Sequence, residues 1–473
     1  MTQMIKPQLC IIGGGAGGLS LAAGATQLGI DVLLVESDKM GGDCLNRGCI
    51  PSKTLLACGK FCLDSKQACA FGIFESVPDP NFTAAMKRVQ DVIENIAGHD
   101  SVERFTKLGV KVIQSPGAFI DPKTLQAGEY CIQAKTFVIA TGSKPKTPPI
   151  AGLTEISYLT TDSVFSLTKA PKSLIVLGGG PIGCELAQAF SALGVPVSLV
   201  EHSTILQNDE SDCVNILRSS LRESTIDLYE NCDELSIRKT EEGVAVDFIH
   251  KGKSQTLNAS HLLLATGRQP QLEKLQLECA KVQYNAKGIH TNAKLQTTNK
   301  RIYDIGDVIG GPQFTHIANY HAGLLIKHLY FKMPISLDYR TLPWVTYTKP
   351  ELAHVGLRIQ DATKQGIAFV ITELPLEKND RAQTEGAITG KIKVLTKPNG
   401  QVLGVTILGE NAGELLLPWI LTIRDKKKLN WLAQMLIPYP TYSEITKHVA
   451  SQFYAPKLFS HLTRTLVKFL SWF

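Results

Sequence analysis

Leu9-Cys10-Ile11-Ile12-Gly13-Gly14-Gly15-Ala16-Gly17-Gly18 is the stretch that decides the fold of this chain. Four apolar residues form a short buried strand, and the glycines run on into a helical segment, Leu19 to Leu28. This is GxGxxG in the setting it requires, between a strand and a helix. Gly13 permits the tight turn, Gly15 lets the backbone approach a pyrophosphate, and Gly18 lets helix and strand pack closely. The phosphates then sit on the helix N-terminus. A second apolar strand, Asp31 to Val35, ends in Glu36, where a carboxylate can accept hydrogen bonds from ribose hydroxyls.

The pattern returns 165 positions later. Ser173 to Leu177 is the strand, Gly178-Gly179-Gly180-Pro181-Ile182-Gly183 the loop, and a helix follows through Glu185 to Leu193. The next strand, Val197 to Val200, ends in Glu201, again an acid placed for a ribose. A glycine-rich turn that only packs one helix on one strand explains either loop alone, but hardly both loops with both acids. Two dinucleotide sites are therefore expected, one for a flavin and one for a nicotinamide nucleotide, since that pair forms a hydride-to-electron relay.

At 473 residues the chain is too long for one hydrophobic core, so several domains are expected. Hydrophobic content of 44%, charged content of 19% and a mean hydropathy of +0.03 describe an ordinary globular protein. The formal net charge of +6 is mild and the basic residues are scattered, which gives nucleic-acid binding no support. No signal-peptide core follows Met1, and no apolar run is long enough to span a bilayer. Eleven cysteines without a secretory signal argue for a reducing, cytoplasmic setting, where any pair that oxidises is catalytic. A metal cluster is the rival reading for Cys44, Cys49, Cys58, Cys62 and Cys69, but no CxxC pair occurs there. Cys58, Cys62 and Cys69 are read instead as small helix-packing residues.

After the first nucleotide unit comes Gly41-Gly42-Asp43-Cys44-Leu45-Asn46-Arg47-Gly48-Cys49-Ile50-Pro51-Ser52-Lys53. Pro51 fits the first turn of a helix, which puts Cys49 near the positive end of that helix and favours its thiolate. Cys44 lies five residues earlier in a glycine-bearing loop, from which its sulfur can swing back to close a disulfide. Lys53, one turn beyond Cys49, adds positive charge on the same side.

On these residues the sequence resembles the pyridine nucleotide-disulfide oxidoreductases, the family of dihydrolipoamide dehydrogenase, glutathione reductase and mercuric reductase, over nearly its whole length. The resemblance implies an α/β fold with two Rossmann-like domains and a C-terminal α+β dimerisation domain. Its divisions would be 1–150 and 271–337 for the FAD domain, 151–270 for the NAD(P) domain, 338–455 for the interface domain and 456–473 for an amphipathic helix. It implies FAD in the first unit and NADH in the second, with NADPH disfavoured by Glu201. Cys49 would be the sulfur nearest the flavin and Cys44 the one that meets the substrate. Lys53 would lie beside the flavin and pair with Glu185. Thr141-Gly142-Ser143 resembles one family turn, and Ala265-Thr266-Gly267-Arg268 repeats it. Tyr303-Asp304-Ile305-Gly306-Asp307 resembles the second FAD motif, with Asp307 on the ribityl chain. Gly42 and Ala118 are assigned to the cofactor site on the same basis.

In the family the last domain forms a homodimer and carries His-Pro-Thr followed by a glutamate, a base and its orienter. Here the segment reads Tyr439-Pro440-Thr441-Tyr442-Ser443-Glu444. Tyrosine at this place resembles mercuric reductase, but the tail lacks paired cysteines. The expected activity is NADH-dependent electron transfer through FAD and the Cys44–Cys49 disulfide to an acceptor: a metal ion, a quinone or a disulfide. Dihydrolipoamide dehydrogenase and a non-enzymatic flavoprotein subunit are the alternatives. In the tail, Lys457, His461, Arg464, Lys468 and Ser471 share one helical face, and Leu458, Leu462, Leu466, Phe469 and Phe473 the other. Such a helix is expected to pack on the protein's own surface, with peripheral contact to an anionic membrane as the functional alternative.

Overall fold

The computed structural model describes residues 3–472. Leu9–Ile12 is the buried middle strand of a five-stranded parallel sheet, flanked by Thr136–Ile139 and Val32–Glu36 and closed by Ile302–Asp304 and Lys111–Gln114. All four of its side chains are buried, as both faces of a parallel sheet demand. The strand Ile302–Asp304 shows how the chain comes back: it pairs with Thr136–Ile139 after the second unit has been completed. That second unit is a four-stranded parallel sheet in the order Ile226–Tyr229, Val197–Val200, Leu174–Leu177, His261–Leu264. The C-terminal part is a five-stranded antiparallel sheet from Pro343–Thr346 to Val402–Gly409, backed by helices such as Leu417–Arg424 and Glu444–Leu458. The architecture is the expected α/β fold with an α+β domain at its end.

Both glycine loops are built by close approach of backbone to backbone. A Cβ at Gly18 would lie 2.0 Å from the Gly13 carbonyl oxygen, and one at Gly183 would lie 1.8 Å from that of Gly178. Gly13 and Gly178 themselves adopt φ of 112° and 108°, a region that side chains avoid. The two loops are thus the same structure made twice.

Helix Cys49–Ala70 joins the units. It lies along helix Pro181–Ala192 of the second unit, and Gly59 makes the approach possible: a Cβ there would sit 3.3 Å from both Ala189 Cα and Ala192 Cβ. Leu55, Leu56, Phe82 and Phe190 belong to one buried cluster with Leu352 and Leu408 of the C-terminal sheet, so one of the chain's apolar cores reaches into all three parts. Gln188 fixes the third part further, exchanging two hydrogen bonds with the Lys349 backbone at 2.6 and 2.9 Å.

The tail departs from expectation. Instead of one helix from 457, helix Glu444–Leu458 ends and a second, His461–Leu470, begins. Pro456 weakens the end of the first helix by removing an amide donor. Ser460 then caps the second, its hydroxyl accepting from the Thr463 amide at 3.3 Å. No residue of His461–Leu470 is buried, so the expected packing on the protein's own surface does not occur. Phe473 lies outside the described residues.

Because Gly59 sets the distance between the two long helices, Gly59→Leu is expected to destabilise the fold by about 2 kcal/mol through overpacking. Thermal unfolding checks this, and an unchanged Tm refutes the close packing.

Candidate active site

The two nucleotide loops present matching polar surfaces. Helices Ala16–Gln27 and Pro181–Ala192 both start at a glycine, Gly15 and Gly180, without a side-chain cap and without an acid in the first turn. Their leading amides and positive ends are left for an anion such as a pyrophosphate. Gly42 lies against Gly15, where its Cβ would be 2.6 Å from the Gly15 Cα, so the cysteine loop is held directly on the first phosphate turn. Glu36 accepts from the Gly14 amide and, at 2.7 Å, from the Asp38 amide. Glu201 accepts from the Gly179 amide and, at 2.8 Å, from the Ser203 amide. Fixed in this way, each carboxylate keeps lone pairs with which to accept further bonds.

Cys49 is the first residue of its helix, and Cys44 lies in the short helix Gly42–Asn46 just before it. Both thiols are free; Cys44 is half-buried and Cys49 exposed. A hydrogen bond from the Cys44 thiol, aided by the Thr315 hydroxyl at 3.3 Å and by the charge of Lys53, outweighs burial and draws the Cys49 thiol down to about 6. The same bond, together with burial, pushes the Cys44 thiol up. In the reduced pair one sulfur is thus an anion and the other keeps its proton.

Lys53 Nζ lies 2.6 Å from Glu185 Oε2, and the second carboxylate oxygen accepts from the Tyr347 amide at 2.9 Å. The Glu185 side chain is only 4% exposed, so both oxygens need these partners. The Lys53 ammonium also lies 4.6 Å from the centre of the Tyr347 ring, where the negative face of the ring attracts it. Tyr347 was not identified from sequence, since it contributes a backbone amide and a ring face across a domain boundary.

A second network ties the cysteine loop to the returning segment. Arg268 forms an ion pair with Asp43, donates to Ser143 Oγ at 2.8 Å and to the Ser143 carbonyl at 2.9 Å, while Ser143 Oγ donates to Asp307 at 2.6 Å. Burial holds the Asp307 carboxyl above its usual range. Thr141 and Thr266 each brace the opposite connection, donating to the carbonyls of Gln271 and Lys146 at 2.9 and 3.0 Å. Gly142 and Gly267 take φ of 70° and 100° in these turns. Ala118 lies half-buried in the strand Gly117–Asp121 of an adjoining sheet. Arg268 and Thr315 join Tyr347 as site residues that sequence reading missed. The Arg268 signal was its place after the second Thr-Gly turn, and Thr315 had only its position at a helix start.

Tyr439 lies at the surface of the C-terminal domain. It is 71% exposed and donates to Asp380 at 2.9 Å, which raises the phenol above its ordinary range. Glu444 begins helix Glu444–Leu458 and accepts from the Thr441 amide at 3.4 Å.

The cysteine geometry predicts a pH profile. In a Cys44→Ser variant, where Thr315 and Lys53 still favour the Cys49 thiolate, alkylation of Cys49 is expected to be half-maximal at a pH below the ordinary thiol value. Above that pH the thiolate dominates and the rate levels off; below it the rate falls. Lys53→Gln moves the midpoint up, and a midpoint at the ordinary thiol value in the Cys44→Ser protein refutes the activation.

Comparison with known proteins matches these features over almost the whole chain. Residues 7–322 match the family described as pyridine nucleotide-disulphide oxidoreductase, and residues 342–450 match the dimerisation domain of the same family. A mercuric reductase of Staphylococcus aureus is 32% identical, with 94% of this chain and 82% of that protein aligned. A dihydrolipoyl dehydrogenase of Bacillus subtilis is 31% identical, over 94% of this chain and 96% of that protein. Among solved structures, the HOCl-induced flavoprotein disulfide reductase RclA of Escherichia coli superposes with a TM-score of 0.84 at 26% identity, covering 94% of this chain and 99% of its own. Members of the family use FAD and NAD(P)H, and the uncapped glycine turns, the fixed acids and the Asp43–Arg268–Ser143–Asp307 network suit such cofactors. With the cysteine pair, the Lys53–Glu185 contact and a dimerisation domain in place, the chain belongs to the pyridine nucleotide-disulphide oxidoreductases, FAD-dependent enzymes that assemble as homodimers.

Proposed function

We propose that the enzyme takes electrons from NADH and delivers them through Cys49 and Cys44 to a thiophilic metal ion. FAD, when bound against the first glycine turn, supplies the two-electron carrier between the nicotinamide and the sulfurs. The residues around it do the rest. Gly13, Gly15, Gly18 and Gly42 shape the pyrophosphate turn, Glu36 takes the ribose, and Asp307 with Ser143 lies along the returning segment. Lys53, braced by Glu185 and Tyr347, keeps a positive charge beside Cys49 and stabilises its anion.

The observation that carries the choice of acceptor is Tyr439. In a dimer of the family type this segment faces the partner subunit's cysteine pair, where a histidine would exchange a proton with the substrate. Tyrosine is a poor base at neutral pH because it holds its proton, and the Asp380 carboxylate raises this phenol further, leaving still less phenolate to take a proton. An external disulfide needs a proton delivered to its leaving sulfur; a metal ion does not. A bound metal deprotonates a coordinating thiol by its own charge, so Cys44 needs no base. Two electrons then pass to one mercuric ion, or one to each of two cupric ions, as the S–S bond forms, and the Cys44 proton goes to solvent. The mercuric reductases among the relatives, and the Cu(II) complex of RclA, support this reading, while the dihydrolipoyl dehydrogenases keep a disulfide acceptor as its rival.

The donor follows from Glu201. Its carboxylate can accept from a ribose 2′-hydroxyl and repels a 2′-phosphate. Nearby basic side chains are engaged: Arg218 grips Glu230 through two bonds of 2.6 and 3.0 Å, and His202 Nδ1 is 3.0 Å from the Cys232 carbonyl. NADH is therefore expected to exceed NADPH in kcat/KM by at least about tenfold, roughly 1.4 kcal/mol. Equal or better values with NADPH refute the assignment.

Steady-state assays with NADH across mercuric and cupric ions, quinones, lipoamide and glutathione disulfide test the acceptor. The expected result is metal-ion turnover with poor activity on both disulfides, and a rise of about tenfold or more in lipoamide turnover in Tyr439→His. Rapid lipoamide turnover by the unmodified enzyme overturns the proposal and restores the dehydrogenase reading.

A further inference from the structure

Helix His461–Leu470 serves none of the chemistry above, yet it is the most strongly two-sided of the longer described helices. From His461 to Trp472 every residue is exposed except half-buried Thr463. Leu462 is 82% exposed and Trp472 88%. At helical spacing Leu462, Leu466, Phe469 and Leu470 share one face, while His461, Arg464 and Lys468 share the opposite one. Leu458 and Phe459, just before the Ser460 cap, extend the exposed apolar surface.

We propose that this helix docks the enzyme on an anionic phospholipid membrane, lying in the plane of the surface with its leucine face in the acyl boundary. Charge selects the occupant. Beyond Glu444 the chain contains no aspartate or glutamate, while Lys447, Lys457, Arg464 and Lys468 all follow. A run of this kind matches the negative headgroups of a cytoplasmic leaflet, and an indole at its end suits the interfacial layer. The match to the family's dimerisation domain ends at residue 450, before this helix begins. With ten residues the helix is too short to cross a bilayer, and no described helix is long and apolar enough to do so. Docking is therefore peripheral, and it does not depend on which acceptor the enzyme reduces.

Co-sedimentation of the full-length holoenzyme with vesicles tests this, using phosphatidylcholine alone and phosphatidylcholine mixed with phosphatidylglycerol. Binding to the anionic vesicles is expected, declining as salt screens the basic face. The double variant Leu462→Gln, Leu466→Gln should bind at least about tenfold more weakly, and Arg464→Gln about fivefold. Both should keep flavin content, elution volume and NADH-driven turnover, which shows that folding is intact. Absence of binding to anionic vesicles, equal binding to neutral ones, or binding unaffected by the leucine changes overturns the proposal. A shift of the leucine variant to a smaller oligomer also overturns it, because the face would then belong to a contact between copies.

Discussion

Glu185 is the point at which three parts of the chain are tied together. It belongs to the helix that carries the second nucleotide turn. One oxygen holds Lys53 from the cysteine helix, and the other holds the Tyr347 amide from the first strand region of the C-terminal domain. A carboxylate this deeply buried is costly unless both oxygens are satisfied, so neither partner is free to drift. Holding Lys53 also holds Cys49, one helical turn earlier. The close contact at Gly59 and the shared core around Leu56 and Phe190 keep the same helices aligned further along. Packing and electrostatics thus converge on one outcome, a fixed positive charge beside one sulfur.

The fixed charge gives the cysteine pair its asymmetry. With Lys53 and Thr315 on the side of Cys49, the shared proton settles on Cys44. The arrangement is reinforced from the loop side, since Asp43 is held by Arg268, which also grips Ser143. The cysteine loop is therefore anchored at both ends, by the Gly15–Gly42 contact before Cys44 and by the Lys53–Glu185 pair after Cys49.

What was legible in the sequence was whatever depends on local stereochemistry. Gly13, Gly18, Gly178 and Gly183 are demanded by their own turns, and Glu36 and Glu201 stand at fixed offsets from them, so both nucleotide folds emerged with nearly correct strand limits. The Lys53–Glu185 contact was reached only through resemblance, because nothing local links positions so far apart. Tyr347, Arg268 and Thr315 escaped because each acts across a boundary between elements, Tyr347 partly through its backbone. In the tail, periodicity was read correctly but the break was not, although Pro456 and Ser460 were there to signal it. Whether such a helix is covered depends on the surface the rest of the protein offers, which the sequence of the helix does not contain.

The choice between acceptors reduces to a count of protons. A reduced pair with Cys49 ionised and Cys44 protonated stores two electrons but one proton. Reducing an external disulfide to two thiols consumes two protons, and the leaving sulfur must receive one promptly if the reaction is not to reverse. Histidine at position 439 would serve as that store near neutral pH; tyrosine hydrogen-bonded to Asp380 holds its proton too firmly. A metal ion reverses the requirement, since its charge expels the Cys44 proton and its reduction demands none in return. On the proposed reading, tyrosine in place of histidine at position 439 would change which substrates the same flavin and the same two sulfurs serve.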